Sequence, residues 1–108
     1  MSKYRAKKTV IDGIKFDSKK EAKRYIALRE LEKQGNIEKL MLQPRFLLQE
    51  GFRKNGKAYR KIEYVADFMY EQDGKLIIED VKGIKTDVYK LKQKLFEKRY
   101  QDLTIKEI

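Results

Sequence analysis

The segment Ile78 to Gly83 reads IEDVKG, and it follows a turn signal at Asp73-Gly74. If that dipeptide is a two-residue hairpin loop, Gln72 faces Lys75, and counting back along both strands places Asp67 opposite Asp80. Like charges directly opposite on neighbouring strands destabilise a sheet. Two carboxylates so placed need a counter-charge, and a divalent cation supplies one. Lys82 lies two residues beyond Asp80, on the same face of its strand. Val65, Met69, Leu76 and Ile78 share that face, so the polar trio is expected to be half-buried among apolar neighbours. The plain alternative is a structural ion pair between Lys82 and Asp80. The D-x-K tripeptide alone decides nothing in a chain this rich in charge.

Glu21 is the fourth candidate. Ser18 stands three residues before it, the spacing of a capping box, and a helix begins there. At about 100° per residue, Glu21 falls between the directions of Tyr25 and Leu28 and points with the apolar side toward the sheet. A carboxylate aimed at a core needs a partner, and the Asp67, Asp80 and Lys82 cluster is the natural one. The competing role is the cap itself, since the glutamate of a capping box usually satisfies a backbone donor.

Composition narrows the chemistry. The chain of 108 residues has no histidine and no cysteine, so thiolate and imidazole metal sites and a histidine base are excluded. A metal must be held by oxygen, which favours Mg2+ or Mn2+. Lys and Arg number 27 against 17 acids, a net charge of +10, whose simplest use is a polyanionic partner such as nucleic acid or an anionic membrane face. Lys3, Arg5, Lys7, Lys8, Lys19, Lys20, Lys23, Arg24 and Lys85 are candidate phosphate contacts; individually each also suits a solvated surface. Lys92 lies between two apolar flanks of a helix, Val88/Leu91/Leu95 and Tyr89/Phe96, and either reaches toward substrate or snorkels. No apolar run approaches the about 20 residues that span a bilayer, and no signal peptide is visible, so a soluble, cytoplasmic protein is expected.

These residues need elements to position them. One domain is expected over 9–108, preceded by a basic arm over 1–8. Residues 9–16 form a short hairpin about Asp12-Gly13. The first helix runs from Ser18 to about Gln34, stops at Gly35, and has an apolar side of Ala22, Tyr25, Ile26, Leu28 and Leu31. Residues 41–50 read as a strand entered through Pro44, GFRKNGKA as a turn-rich loop, 59–71 as a long strand and 75–82 as the next. A second helix spans about 86–100, and LTIKEI ends as a strand. The fold class is α/β (α+β): an αβββαβ core with a mixed four-stranded sheet. Three antiparallel strands and a last strand parallel to the third, through the helical crossover, make that sheet. Tyr64, Phe68 and Tyr70 alternate on one strand face, as core or as a base-stacking platform, and Glu79 should point to the sheet face opposite Asp80.

IEDVKG, preceded by VADF at this distance, resembles the split motif of the PD-(D/E)XK nucleases. Asp67 matches the first acid, Asp80 the second, Lys82 the lysine, and Glu21 the extra helical acid of many members. The element order matches the restriction-endonuclease-like core of that superfamily, and the resemblance extends from about Thr9 to the end of the chain. FDSKKEAKRY, LQPRF, YVADF and EDVKG are also similar to a small phage and prophage family of unknown function, to the TnsA endonuclease subunit of transposition systems, and to archaeal-type Holliday junction resolvases. Ala66 stands where the motif has proline. The resemblance implies a metal-dependent DNA endonuclease in phage or mobile-element DNA metabolism. Asp67 and Asp80 would hold Mg2+, with the Val81 carbonyl a further ligand and Glu21 completing the site directly or through water, and Lys82 would orient the attacking water or stabilise the developing charge. The products would be a 5′-phosphate and a 3′-hydroxyl. It also brings forward Gln43, which matches a glutamine before proline in transposase-type relatives and is otherwise a polar residue at the start of a strand. Resolvases act as symmetric dimers, so a homodimer is an expected partner state alongside DNA. The competing function classes are a non-catalytic nucleic-acid-binding domain and an accessory subunit of a larger recombination or transposition complex.

Overall fold

The computed structural model describes residues 8–108. The chain enters through a hairpin, β1 (Thr9–Ile11) and β2 (Ile14–Phe16), closed by Asp12 and Gly13 at φ 53° and 76°. Those positive values fit the type I′ turn that Asp-Gly favours. Helix α1 (Lys19–Lys33) begins where Ser18 accepts the Glu21 N–H at 3.1 Å, and it ends before Gly35 at φ 79°. Ala22, Tyr25 and Leu28 are buried, while Ile26 is exposed and not part of the apolar side.

The strands after α1 differ from expectation in one consistent way. In place of a single strand over 41–50 there are two, β3 (Glu38–Leu42) and β4 (Arg45–Gln49). In place of a single strand over 59–71 there are again two, β7 (Ile62–Val65) and β8 (Phe68–Gln72). Between them GFRKNGKA is not a loop. It is a second hairpin, β5 (Phe52–Lys54) and β6 (Lys57–Tyr59), turning at Asn55-Gly56. Strand β3 pairs with β8 and β4 with β7, all antiparallel. The two ladders are one long hairpin bent in the middle. At the bend Gln43 takes φ 51°, the Gln43 N–H donates to the Asp67 carbonyl, and the Ala66 N–H donates to the Pro44 carbonyl. Proline has no N–H to give a continuous ladder, so the strand breaks beside it.

Strand β9 (Lys75–Asp80) pairs with β8 in the expected register, Gln72 with Lys75 through Phe68 with Glu79. It stops at Asp80, short of Lys82. After the crossover helix α2 (Asp87–Arg99), capped by Thr86, strand β10 (Ile105–Glu107) lies parallel to β9. The sheet order is β10-β9-β8-β3, a mixed four-stranded sheet in an α+β architecture.

Two buried clusters lie on the two faces. Phe16, Ala22, Tyr25, Leu28, Ile37, Phe68 and Tyr70 pack under α1. Leu48, Tyr64, Ala66, Ile78, Tyr89, Phe96 and Ile105 pack under α2. Tyr64 and Phe68 therefore do not share a face, although they are an even number of residues apart. Strict alternation would keep them together; the break at Asp67 shifts the phase. Tyr64, Phe68 and Tyr70 are all core, and none of them forms a stacking platform. Among the described residues no helix is long and apolar enough to cross a membrane.

Candidate active site

Asp67 sits at the phase shift. Its N–H donates to the Glu79 carbonyl at 3.1 Å, so the ladder steps out of register one residue before the expected pairing of Asp67 with Asp80. Its carboxylate accepts the Val81 N–H at 2.7 Å. The side chain lines a cleft of about 450 Å³ with Asp17, Ser18, Lys20, Glu21, Val81, Lys82, Gly83 and Ile84. The structure thus brings Glu21, Asp67 and Lys82 to one opening at the start of α1.

Asp80 lies just behind the cleft, 1% exposed. Lys82 Nζ is 2.9 Å from Asp80 Oδ1, and the Tyr64 hydroxyl donates to Oδ2. The Lys82 ammonium also rests 4.2 Å from the centre of the Tyr89 ring, a cation–π contact. The Tyr89 hydroxyl donates to Glu107 at 2.8 Å. Although Lys82 is outside β9, it is held in line with it. Its N–H donates to the Ile108 carbonyl and the Ile108 N–H donates to the Asp80 carbonyl.

The electrostatics mark this as a crowded acidic site. The Asp67 carboxyl is pushed up to about 7, first by burial and then by the charges of Asp80 and Glu21; the Val81 N–H opposes the rise. Glu21 is raised as well, by burial and by Asp17 and Asp80, with Lys82 acting the other way. Burial and the bond to Asp80 hold the Tyr64 phenol well above its ordinary range, so it remains a donor. Glu21 makes only half of a capping box. Ser18 accepts its N–H, while its own carboxylate lines the cleft.

The donor chemistry fits a hard divalent cation: the Glu21, Asp67 and Asp80 carboxylates and the Val81 carbonyl, with Glu21 and Asp67 raised first by burial and then by neighbouring acids whose repulsion a cation would relieve. The geometry is more open than the residue types suggest. Among the described residues no three acids close into a ligating group, and Asp80 is engaged by Lys82 and Tyr64.

The remaining candidates fall in different places. Lys3, Arg5 and Lys7 lie outside the described residues. Lys8, Lys19 and Lys23 are exposed. Lys20 reaches the cleft, donating to the Lys82 carbonyl at 3.1 Å. Lys85 is paired with Glu107 at 2.9 Å, and Lys92 is half-buried on α2. Gln43 is exposed, and only its backbone meets Asp67. Arg24 is engaged inside the fold. It grips Glu79 with two bonds of 2.6 and 2.5 Å, and the Tyr70 hydroxyl donates to the same carboxylate. Glu79 does face away from Asp80, but it is fully buried rather than at the surface. Sequence reasoning missed Tyr64 and Tyr89 as supports of Asp80 and Lys82. Tyr64 carried the signal of a phenol beside Val65 and Ala66, just ahead of Asp67; Tyr89 carried none.

Across residues 1–108 the chain matches the family described as Protein of unknown function (DUF1064). It belongs to the DUF1064 family. No curated protein and no solved structure matches it. The DUF1064 match covers every candidate residue, so the cleft, the bent hairpin and the paired tyrosines lie wholly within the family's span.

Proposed function

We propose that this protein is a metal-dependent DNA endonuclease of the PD-(D/E)XK kind, acting on phosphodiester bonds in linear or branched DNA. The observation that carries the reading is the cleft where Asp67 and Glu21 meet, backed by Asp80 and Lys82, with Asp67 raised to about 7. Pure binding gains nothing from crowding carboxylates in a protein of net charge +10; they would repel the phosphates that the rest of the surface attracts. Asp67, Asp80 and Glu21, with the Val81 carbonyl, would hold Mg2+ or Mn2+. When bound, the ion would offset charge on the scissile phosphate and make a bound water more acidic. Lys82, fixed between Asp80 and the Tyr89 ring, supplies a positive charge at the cleft for the phosphate or the attacking water. Lys20 extends that positive edge. DNA and a second copy of the chain are the proposed partners, in the cytoplasm of a phage or prophage host.

One observation favours a second reading. The Asp80–Lys82 pair is complete as it stands, with Tyr64 on the second carboxylate oxygen, as a non-catalytic nucleic-acid-binding domain or accessory subunit would have it. Labelled linear, nicked, flap and four-way DNA, incubated with and without Mg2+, separates the two. Cleavage of at least one substrate that needs Mg2+ and disappears in Asp80→Asn and in Lys82→Ala is the expected result. Binding without cleavage of all four would leave the second reading.

A further inference from the structure

The β5–β6 hairpin is the least integrated part of the molecule. Its strands pack on each other and, among the described residues, on no other element. All residues from Gly51 to Lys61 are exposed. The radius of gyration, 16.1 Å, exceeds the about 13 Å of a compact chain this long, and the molecule is only 23 Å thick. Folding alone gives no reason to keep such a projection.

Its charges give one. Between Gly51 and Lys61 there are five cationic side chains and no acid. Lys54 and Lys57 are directly opposite in the ladder, a like-charge pair that costs stability in an isolated hairpin. Lys54, Lys57 and Arg60 enter no ion pair among the described residues; Lys61 is paired with Glu63 at 3.7 Å, Arg53 donates to the Gly56 carbonyl at 3.3 Å, and Lys57 lies 5.2 Å from the centre of the Tyr59 ring. On the face that carries Lys54 and Lys57, Phe52 and Tyr59 stack with ring centres 4.8 Å apart and planes 10° apart. This pair stiffens the ribbon without help from the core. Gly51 lets the stem close: a Cβ there would meet the Tyr59 carbonyl at 3.1 Å.

We propose that β5–β6 is a docking ribbon for duplex nucleic acid, seated in a groove with Lys54, Lys57 and Arg60 on the flanking phosphates. A two-stranded ribbon fits the major groove, whose width is about 12 Å. A polyanion removes the Lys54–Lys57 repulsion that the free protein carries. Tyr59 lies eight residues before Asp67, a span on the order of 25 Å along extended chain. At 3.4 Å per base pair, the ribbon would grip a duplex roughly seven base pairs from the cleft. The proposal goes beyond the cleavage reading and does not depend on it, because it concerns binding without a metal.

The test uses the full chain, a labelled duplex of about 20 base pairs, a chelator, and anisotropy titrations over a salt series of about 50 to 200 mM. Lys54→Ala/Lys57→Ala should weaken low-salt binding about tenfold and reduce the slope of log affinity on log salt by about 2, at about 0.9 per phosphate contact. Lys33→Ala/Lys75→Ala, which removes the same charge elsewhere, should change the slope far less. The ribbon variant should melt with the wild type or slightly above it, since β5 and β6 rest on no other element. If it melts lower, Lys54→Gln/Lys57→Gln replaces it. An unchanged slope, or a loss equal to that of the control variant, overturns the proposal. So does loss of anionic-vesicle binding with duplex binding intact, or tighter binding of single strands that is lost in Tyr59→Leu. Cleavage assays bear on none of these outcomes, so the two readings can fail separately.

Discussion

Glu79 and Asp80 are consecutive, both buried, and face opposite sides of one strand. Glu79 points under α1, where Arg24 and Tyr70 supply three donors to one carboxylate. Its charge is matched by a single guanidinium, whose pKa is raised first by that hydrogen bond. Asp80 points under α2 to Lys82 and Tyr64, but two further acids, Asp67 and Glu21, lie close enough to be pushed up by it. The first site is balanced and joins α1 to β9. The second has more acids than cations. Burial of an acid is common to both, so burial does not separate them; the surplus of negative charge does.

The contrast is broken most severely at the balanced site. Arg24→Ala leaves Glu79 buried without its cation, which costs about 3–5 kcal/mol. For a domain of this size that lowers the melting temperature by more than about 12 °C. Asp80→Asn, one residue away, should do the reverse: melting unchanged or slightly higher in the apo protein, with cleavage abolished. A melt that drops for Asp80→Asn as far as for Arg24→Ala would make both sites structural.

A smaller effect sharpens the comparison through pH. Asp67 titrates near 7 in the folded protein, above its ordinary 3.8. Below that ordinary value both states are protonated. From there up to about 7 the folded state keeps a proton that the unfolded chain releases, so stability falls as pH rises, then levels off. The carboxyl is partly wet, which screens the effect, and about 5 °C of lost melting temperature between pH 5 and 8 is expected. Asp67→Asn should lose most of that slope. Thermal melts of the apo proteins at several pH values check it, and parallel slopes would remove the claim of surplus charge. The smallest effect belongs to Tyr89→Phe, which keeps the ring against Lys82 and removes only the bond to Glu107. A loss of about 0.5 kcal/mol, about 2–4 °C of melting temperature, with cleavage retained is expected.

These particulars show what a sequence can reveal. Asp12-Gly13 and Asp73-Gly74 were legible because their turn needs positive φ at both central residues, which Asp-Gly accepts, and the second of these set the β8–β9 register. Asn55-Gly56 carries the same signal at φ 52° and 75°, yet its flanks bury nothing, so no apolar pattern announces strands. The bend was illegible for a different reason. Gln43 in a left-handed conformation follows from the tertiary fit beside Pro44, not from any preference of glutamine. The register step at Asp67 then moves Tyr64 and Phe68 to different cores. The Arg24–Glu79 pair joins residues 55 apart, each of which alone resembles ordinary surface charge. The Asp80–Lys82 pair was readable; the tyrosines that support it and the Val81 N–H on Asp67 were not.

The bonds from Ile108 to Asp80 and Lys82 have a consequence for the order of synthesis. Every candidate acid, and the lysine, is translated before β10. A nascent chain halted ahead of Ile105 would carry the full set of reactive groups without the strand that fixes their edge of the sheet. The arrangement is therefore completed only once β10 has been made, and chains halted before it should hold Asp80 and Lys82 less firmly.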